Sequence, residues 1–194
     1  MSTIIDLIGS MIIGGFVLFL GLRVNADIGS TTLAAGTNLS VQEDMIEAST
    51  ILEADLRKIG YGIPDSSAAI SVADSNRIRF YADINRDGSL DSVEYYVGNP
   101  LPQFTDRTVR RLYRKFNTAT PTVVALYVTA FELQYLNDDG GVVSDPRATK
   151  MLEVTLGLTS PYKVADQVNR EKYEYANGLW RQTRIATPNV ARHG

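Results

Sequence analysis

The chain opens with an almost uninterrupted apolar run. Residues 1–22 carry a single charge, Asp6, and no basic residue precedes Arg23. At 1.5 Å per residue, a helix over Ile4–Leu22 is long enough to cross a bilayer core of about 30 Å. A secretory signal peptide would have a basic segment before the run and a small-residue cleavage site after it, and neither is evident. The pattern therefore predicts a membrane anchor, or an anchor that later becomes the core of a filament.

A helical pattern continues beyond the apolar run without a break. Gly60, Gly62 and Pro64 are suited to ending it. A helix from about residue 3 to residue 59 would be roughly 85 Å long. Its second half carries an apolar-leaning stripe at spacings of three and four, with the acidic residues Glu43, Asp44, Glu47 and Glu53 away from it. We expect this stripe to pack on a globular head, and its members are Ala35, Leu39, Gln42, Ile46, Ser49, Leu52, Leu56 and Ile59.

From Ile70 onward, short runs rich in β-branched and aromatic residues alternate with turn residues. One helix followed by many strands predicts an α+β fold with an antiparallel sheet. We divide the chain into an apolar helix over 1–24, its amphipathic continuation over 25–62 and a β-rich head over 63–194. The stretch Pro161–Ala176 fits either a loop or a short helix. The predicted strands are Arg77–Ala82, Val93–Val97, Val109–Phe116, Val123–Thr129, Phe131–Leu136, Met151–Leu158 and Leu179–Ile185.

Composition narrows the chemistry available to the chain. The 194 residues carry a net charge of −3, include no cysteine, and have one histidine, His193, next to the C-terminal residue. Disulfides and thiolate metal sites are thereby excluded, and catalysis by imidazole is not expected. No nucleophile motif, phosphate-binding loop or acid–base pair stands out. We therefore do not expect an enzyme.

The order of these segments resembles the type IV pilin and type II secretion pseudopilin superfamily, and in particular its J- and W-type minor subunits. The resemblance spans essentially the whole chain and implies a pilin-like fold, with a long N-terminal helix packed on an antiparallel sheet. It is carried by the N-terminal run STIIDLIGSMIIGGFVLFLGL and by Leu52–Pro64, Ile78–Val97, Val123–Gly141, Met151–Leu158 and Trp180–Val190.

The resemblance also implies a role for Asp6. In the family, an early carboxylate neutralises the N-terminal amine of a neighbouring subunit inside the filament. Asp6 is the fifth residue counted from Ser2, which is the family register, and it is displaced by one when counted from Met1. A buried carboxylate is costly unless it is paired, and such a pair can set the register of assembly. The alternative is that Asp6 lies in the headgroup layer of the membrane.

One loop has the spacing of a calcium site. Residues 83–94 match the twelve-position EF-hand pattern, with Gly88 at the position of the sharp turn. The flanking segments are predicted strands, so this would be a calcium-binding β-hairpin. The alternative is an acidic hairpin turn without an ion. The candidate ligands are Asp83, Asn85, Asp87, Ser89, Asp91 and Glu94, of which Glu94 is the one that strand geometry could point away.

A basic segment follows this loop. Arg110, Arg111, Arg114 and Lys115 interleave with apolar and aromatic residues, a pattern that nucleic-acid-binding proteins also show. Alternation along a strand would divide these charges between two faces. A solvated or salt-bridged strand is the commoner explanation of such a pattern, so we do not expect DNA to be a partner.

The sequence thus predicts a structural subunit of a type IV pilus-like or pseudopilus filament. Its expected partners are copies of itself or related subunits, the membrane before assembly, and an assembly machinery. We expect it in the inner membrane first, and then in a surface filament or a periplasmic pseudopilus. The alternative is a single-pass anchored surface binding module with a calcium-stabilised β-rich head.

Overall fold

The computed structural model describes residues 2–63, 69–165, 173–176 and 178–186. One helix, α1, runs over Ser2–Leu56, close to the predicted range. Turns follow it, and Gly60 and Gly62 adopt positive φ angles of 80° and 75°, which glycine tolerates best. The backbone N–H of Gly60 then donates to the carbonyl of Tyr81 at 3.1 Å, so the helix exit is fastened to the sheet. Pro64 lies outside the described residues.

The second half of α1 packs on the head through a stripe that differs from the predicted one. Ser49, Leu52, Leu56 and Ile59 are buried as expected, but Leu39 and Ile46 are 56% and 63% exposed, and Ala35 and Gln42 are exposed as well. Two rows on this helix have spacings of three and four, and periodicity alone does not say which row meets the sheet. The buried row is completed by Ala34, Val41, Met45, Ala48 and Asp55.

The head is built on a curled antiparallel sheet of seven strands in the order β1-β2-β3-β4-β5-β6-β9, and β7 and β8 form a separate hairpin. The α+β class is therefore confirmed. A 3₁₀ turn, Pro146–Ala148, precedes β6. The strands are β1 Ile70–Asp74, β2 Arg77–Ala82, β3 Asp91–Val97, β4 Arg110–Phe116, β5 Thr122–Leu136, β6 Met151–Leu158, β7 Lys163–Ala165, β8 Tyr173–Tyr175 and β9 Leu179–Ala186.

The structure differs from the prediction most clearly at three places. The two runs predicted on either side of Ala130 form one continuous strand, β5. Strand β1, which pairs with β2, was not predicted, because its five residues offer only two β-branched positions, Ile70 and Val72, and so little strand signal. The stretch Pro161–Ala176 contains β7 and β8 and so is neither a plain loop nor a helix in its described part. Residues 166–172 lie outside the described residues.

The core lies between α1 and the inner face of the sheet. Leu52 and Leu56 join the same buried cluster as Phe80, Tyr95 and Leu112, which are contributed by β2, β3 and β4. On these strands the alternate residues point to the opposite, outer face. The helix and the outer face of β2–β4 are therefore on opposite sides of the head.

The first half of α1 makes no such contacts. Ala34 is the first buried residue of the described helix, so packing begins further along the chain than residue 25. The apolar side chains from Ile4 to Leu22 are all more than half exposed. Within the described residues, α1 is the one helix that is long and apolar enough to cross a membrane. The structure is compatible with membrane anchoring through this segment.

Candidate functional site

Asp6 lies on the exposed apolar half of α1. Its side chain is exposed, and the hydroxyl of Ser10 donates to its backbone carbonyl at 2.8 Å rather than to the carboxylate. The carboxylate thus has no partner among the described residues. Met1 lies outside the described residues, as does the side chain of Ser2, so the predicted pairing with an N-terminal amine stays a prediction.

The loop after β2 is organised around Asp83. This carboxylate is 8% exposed and accepts hydrogen bonds from the backbone N–H groups of Asp87 and Gly88, both at 3.1 Å. Arg86 and Gly88 have φ angles of 63° and 85°, which produce the tight reversal that such bonding needs. Asp83 therefore holds the first half of the loop in a curl around its own two oxygens.

The predicted oxygen donors at alternate positions line the same curl. Asn85 accepts from the N–H of Asp87 at 3.2 Å, and Asp87 accepts from the N–H of Ser89 at 2.7 Å. The Ser89 bond, followed by the amide of Asn85, holds the pKa of Asp87 below its usual value. The side-chain amide of Asn85 also donates to Asp87 at 2.7 Å. These oxygens already accept N–H donors, as expected of a loop whose carboxylates are ordered by its own backbone.

Asp91 closes the loop from β3. It accepts from the N–H of Ile84 at 3.2 Å and from the side-chain amide of Asn117 at 2.8 Å. Asn117 has a φ of 49° and also accepts from the N–H of Ser92 at 2.7 Å. Sequence reasoning missed Asn117, because its place beside the loop depends on the pairing of β3 with β4.

Glu94 is turned away from the loop, as strand geometry allowed. It lies on the outer face of β3, where Arg77 donates to one carboxylate oxygen at 2.6 Å and Arg79 to the other at 3.0 Å. Burial alone would raise the pKa of Glu94, but the two guanidinium groups outweigh it and lower that pKa. With both oxygens engaged, Glu94 is not available in this arrangement to complete a cation shell.

The remaining candidates form a partial set. Asp83, Asn85, Asp87 and Ser89 follow one curl of the chain, with Asp91 at its base. In the described part of the chain, no group of three or more carboxylates or imidazoles is gathered closely enough to hold a metal ion unaided. A cation would draw on amide and hydroxyl oxygens as well as carboxylates, which is the ligand mixture that calcium takes.

The loop is joined directly to the helix exit. The N–H of Asp83 donates to the carbonyl of Tyr61 at 2.8 Å, and the ammonium of Lys58 approaches the carbonyl of Ile84 at 3.4 Å. A Cβ atom added to Gly62 would stand 3.0 Å from the Cβ of Asp83. Order in this loop is thus coupled to the junction between α1 and the head.

The basic residues of β4 are divided between two faces. Arg114 points inward, and its Nε lies 2.6 Å from Asp55 of α1. The Nε of Arg110 is also buried, with no hydrogen-bond partner among the described residues. Arg111 and Lys115 alternate with them and belong to the outer face. The four predicted nucleic-acid contacts do not form one surface.

The buried partner of Arg114 was not predicted. Asp55 is 7% exposed and also accepts from the hydroxyl of Tyr95 at 2.7 Å. Burial, followed by the negative charge of Asp55, raises the pKa of Tyr95, so this phenol remains a hydrogen-bond donor. A polar residue next to Leu56 in an otherwise apolar stripe is the sequence signal that could have revealed this network.

A second pair of contacts secures the helix at its side. Glu53 lies 2.6 Å from Arg57, the first residue after α1, and 3.2 Å from Arg181 of β9. The hydrogen bond from Arg57 is the main cause that lowers the pKa of Glu53.

In comparisons with protein-family models, with curated proteins and with solved structures, no match to this chain was found.

Proposed function

We propose that this chain is a structural subunit of a type IV pilus-like or pseudopilus filament, held in a membrane before assembly and polymerising through the first half of α1. The observation that carries the proposal is the continuity of α1. One helix of 55 residues begins as an exposed apolar rod and ends packed against the sheet. The resemblance described above supports the same function.

The exposed apolar part of α1, which we call the rod, must be shielded from water by something other than its own chain. Apolar side chains from Ile4 to Leu22 stand in the open, an area far larger than soluble monomers normally expose. Lipid satisfies them before assembly, and the same rods from neighbouring copies satisfy them in a filament. Because the rod and the packed half are one helix, the head is carried at a defined position relative to the filament core.

Asp6 gives the rod a preferred register. An unpaired carboxylate in an apolar bundle costs several kcal/mol, whereas pairing with a neighbouring amine recovers much of that cost. Only a limited set of axial offsets between helices brings the two charges together. In this proposal, Asp6 pairs with the N-terminal amine at Met1 or Ser2 of the adjacent subunit.

The loop 83–91 adds a calcium-stabilised element to the head. Asp83, Asn85, Asp87 and Asp91 supply side-chain oxygens around one curl, and Ser89 supplies a hydroxyl. Glu94 is left out of this ligand set, because both of its oxygens are engaged by arginines. The affinity expected of such an open loop is in the weak, extracellular range.

A second candidate function is that of a single-pass anchored surface module with a calcium-stabilised head. The membrane-length helix and the separate head favour it equally well. The two candidates differ in what covers the rod after export, since a permanent anchor leaves it in lipid.

Electron microscopy of native material sheared from the cell surface tests the proposal. Filaments that contain this chain are the expected result, with the head accessible to antibody along their length. Material that stays as dispersed monomers and requires detergent at every step would favour the anchored module instead. Accurate mass of the intact chain would add whether it starts at Met1 or Ser2 and whether that amine is methylated.

A further inference from the structure

A basic groove crosses the outer face of β2–β4. It has a volume of about 380 Å³ and lies over two rows of side chains. One row pairs Arg79, Glu94 and Lys115 across three strands, and the next pairs Arg77, Tyr96 and Tyr113. The residues that line the groove and matter for its charge are Arg77, Arg79, Glu94 and Lys115.

The positive charge of this groove is not balanced. Glu94 is the one carboxylate in its lining and is shared by Arg77 and Arg79. Each guanidinium keeps further N–H donors, and the two arginine side chains are 44% and 36% exposed. Lys115 makes no ion pair with any described residue. Three cations against one carboxylate leave a formal excess of two positive charges.

The opposite side of the head carries unbalanced negative charge. Glu43, Asp44 and Glu47 are exposed on the packed half of α1, and none of them makes an ion pair within the described residues. Their buried neighbours Val41 and Met45 face the sheet, so the acidic residues face away from it or to its flank. A chain cannot place this acidic face in its own basic groove, because the head lies between them.

We propose that the groove lined by Arg77, Arg79 and Lys115 binds the acidic face Glu43–Asp44–Glu47 of a second copy of this chain. The inference rests on the proposed filament function. Two complementary patches on opposite sides of one subunit make a head-to-tail contact, and such a contact builds an open filament when the rotation between copies does not close a ring. Charge complementarity of this kind fixes the register and orientation of docking more than it adds affinity.

The groove suits a protein partner better than a nucleic acid. Glu94 lies in its lining and is shared by Arg77 and Arg79, so the groove does not present an unbroken line of cations to a run of phosphates. The rings of Tyr96 and Tyr113 stack on each other, with centroids 5.4 Å apart and planes 18° apart, so they do not form an open platform for bases. Pro121 also lines the groove and provides apolar contact next to the charges.

Charge exchange in the full-length chain tests the contact. Lys115→Glu should lower the yield of sheared filaments on the order of fivefold, and so should the double change Glu43→Lys with Glu47→Lys. Combining all three changes should restore part of the yield, because position 115 and positions 43 and 47 then again carry opposite charges, while the groove as a whole is neutral and no longer repels the exchanged face. Arg147→Glu on the head and Asp138→Lys with Asp139→Lys in a distant turn are matched controls that should leave the yield unchanged.

A photo-crosslinking residue at position 115 identifies the occupant. The expected product is a dimer of this chain whose crosslink maps to the tryptic peptide 24–57, which contains no internal Lys or Arg. Wild-type filaments with neither this crosslink nor an effect of charge reversal would overturn the inference and leave the filament function standing. A crosslink to nucleic acid or to a different protein would overturn it as well. Absence of wild-type filaments would overturn both.

Discussion

The carboxylate of Asp55 lies 2.7 Å from the hydroxyl of Tyr95, and this contact ties the last turn of α1 to the middle of the sheet. Arg114 completes the arrangement from β4, with its Nε 2.6 Å from the same oxygen. The network joins one helix and two strands, with Asp55 and Tyr95 buried and Arg114 half-buried. It therefore fastens the end of the helix to the sheet.

Removing this carboxylate should destabilise the head. Asp55→Ala leaves the Tyr95 hydroxyl and the Arg114 guanidinium without their shared acceptor, and we expect a loss of about 2–4 kcal/mol in the free energy of unfolding. Tyr95→Phe removes one donor only and should cost about 1 kcal/mol. Urea unfolding of the full chain in detergent measures both. Asp44→Ala, on the exposed side of the helix, is the control, and an equal loss there would contradict the prediction.

The Glu94 cluster should make the head sensitive to acid. Its folded-state pKa lies below the ordinary value of 4.5, so the folded chain binds fewer protons there than the unfolded chain does. The stabilisation is therefore complete above the unfolded pKa and is lost as the pH falls through the folded pKa. Glu94→Gln should lower stability at neutral pH by about 1–2 kcal/mol and flatten its decline below about pH 5.

Unfolding curves at a series of pH values test this dependence. Glu132→Gln is a suitable control, since Glu132 is exposed and has no ion pair in the described part of the chain. In that variant, the free energy of unfolding should fall toward low pH as steeply as in the wild type. If the free energy of unfolding of Glu94→Gln falls toward low pH as steeply as that of the wild type, Glu94 is not the cause of the acid sensitivity.

The loop 83–91 predicts a calcium response that distinguishes its candidate ligands. A weak site filled tenfold above its Kd adds about 1.4 kcal/mol, which corresponds to a rise in Tm of a few degrees. We expect wild-type and Glu94→Gln chains to melt about 2–4 °C higher with calcium than with chelator. Asp83→Ala should melt at the same temperature in both, while Asp139→Ala, in a separate turn, should respond like the wild type. No calcium effect in the wild type would reject the site.

Asp6 should act in assembly and not in membrane insertion. Asp6→Ala removes the one carboxylate of the apolar run and should lower filament yield on the order of tenfold, while the chain still fractionates with membranes. Asp6→Glu keeps the charge and should retain most of the yield. Counting filaments by electron microscopy and measuring the chain in membrane fractions separates the two effects. Normal filament yield from Asp6→Ala would contradict the assembly role.

Much of the fold followed from local patterning. Strands β2 and β6 have the ranges predicted from alternation alone, and α1 ends within three residues of its predicted end. Alternation and glycine placement are local properties, so a single sequence carries them. The packed face of α1 did not follow in the same way, because Leu39 and Ile46 form an equally regular row that the sheet leaves exposed.

The candidate site shows the same division between local and tertiary information. The spacing of Asp83, Asn85, Asp87 and Gly88 determined the curl of the loop, since these residues bond to backbone a few positions away. Glu94 matched the same spacing, yet strand pairing placed it between two arginines.

The sequence by itself determined an apolar helix, a β-rich head and a carboxylate near the start of the chain, because hydrophobic periodicity and turn chemistry act over a few residues. Only the tertiary structure decided which helix row is buried, that Asp55 meets Tyr95 and Arg114, and that the basic residues of β4 divide between two faces. Those outcomes depend on which strands become neighbours. Neighbours in a sheet are chosen by the packing of the whole core, which no short segment encodes.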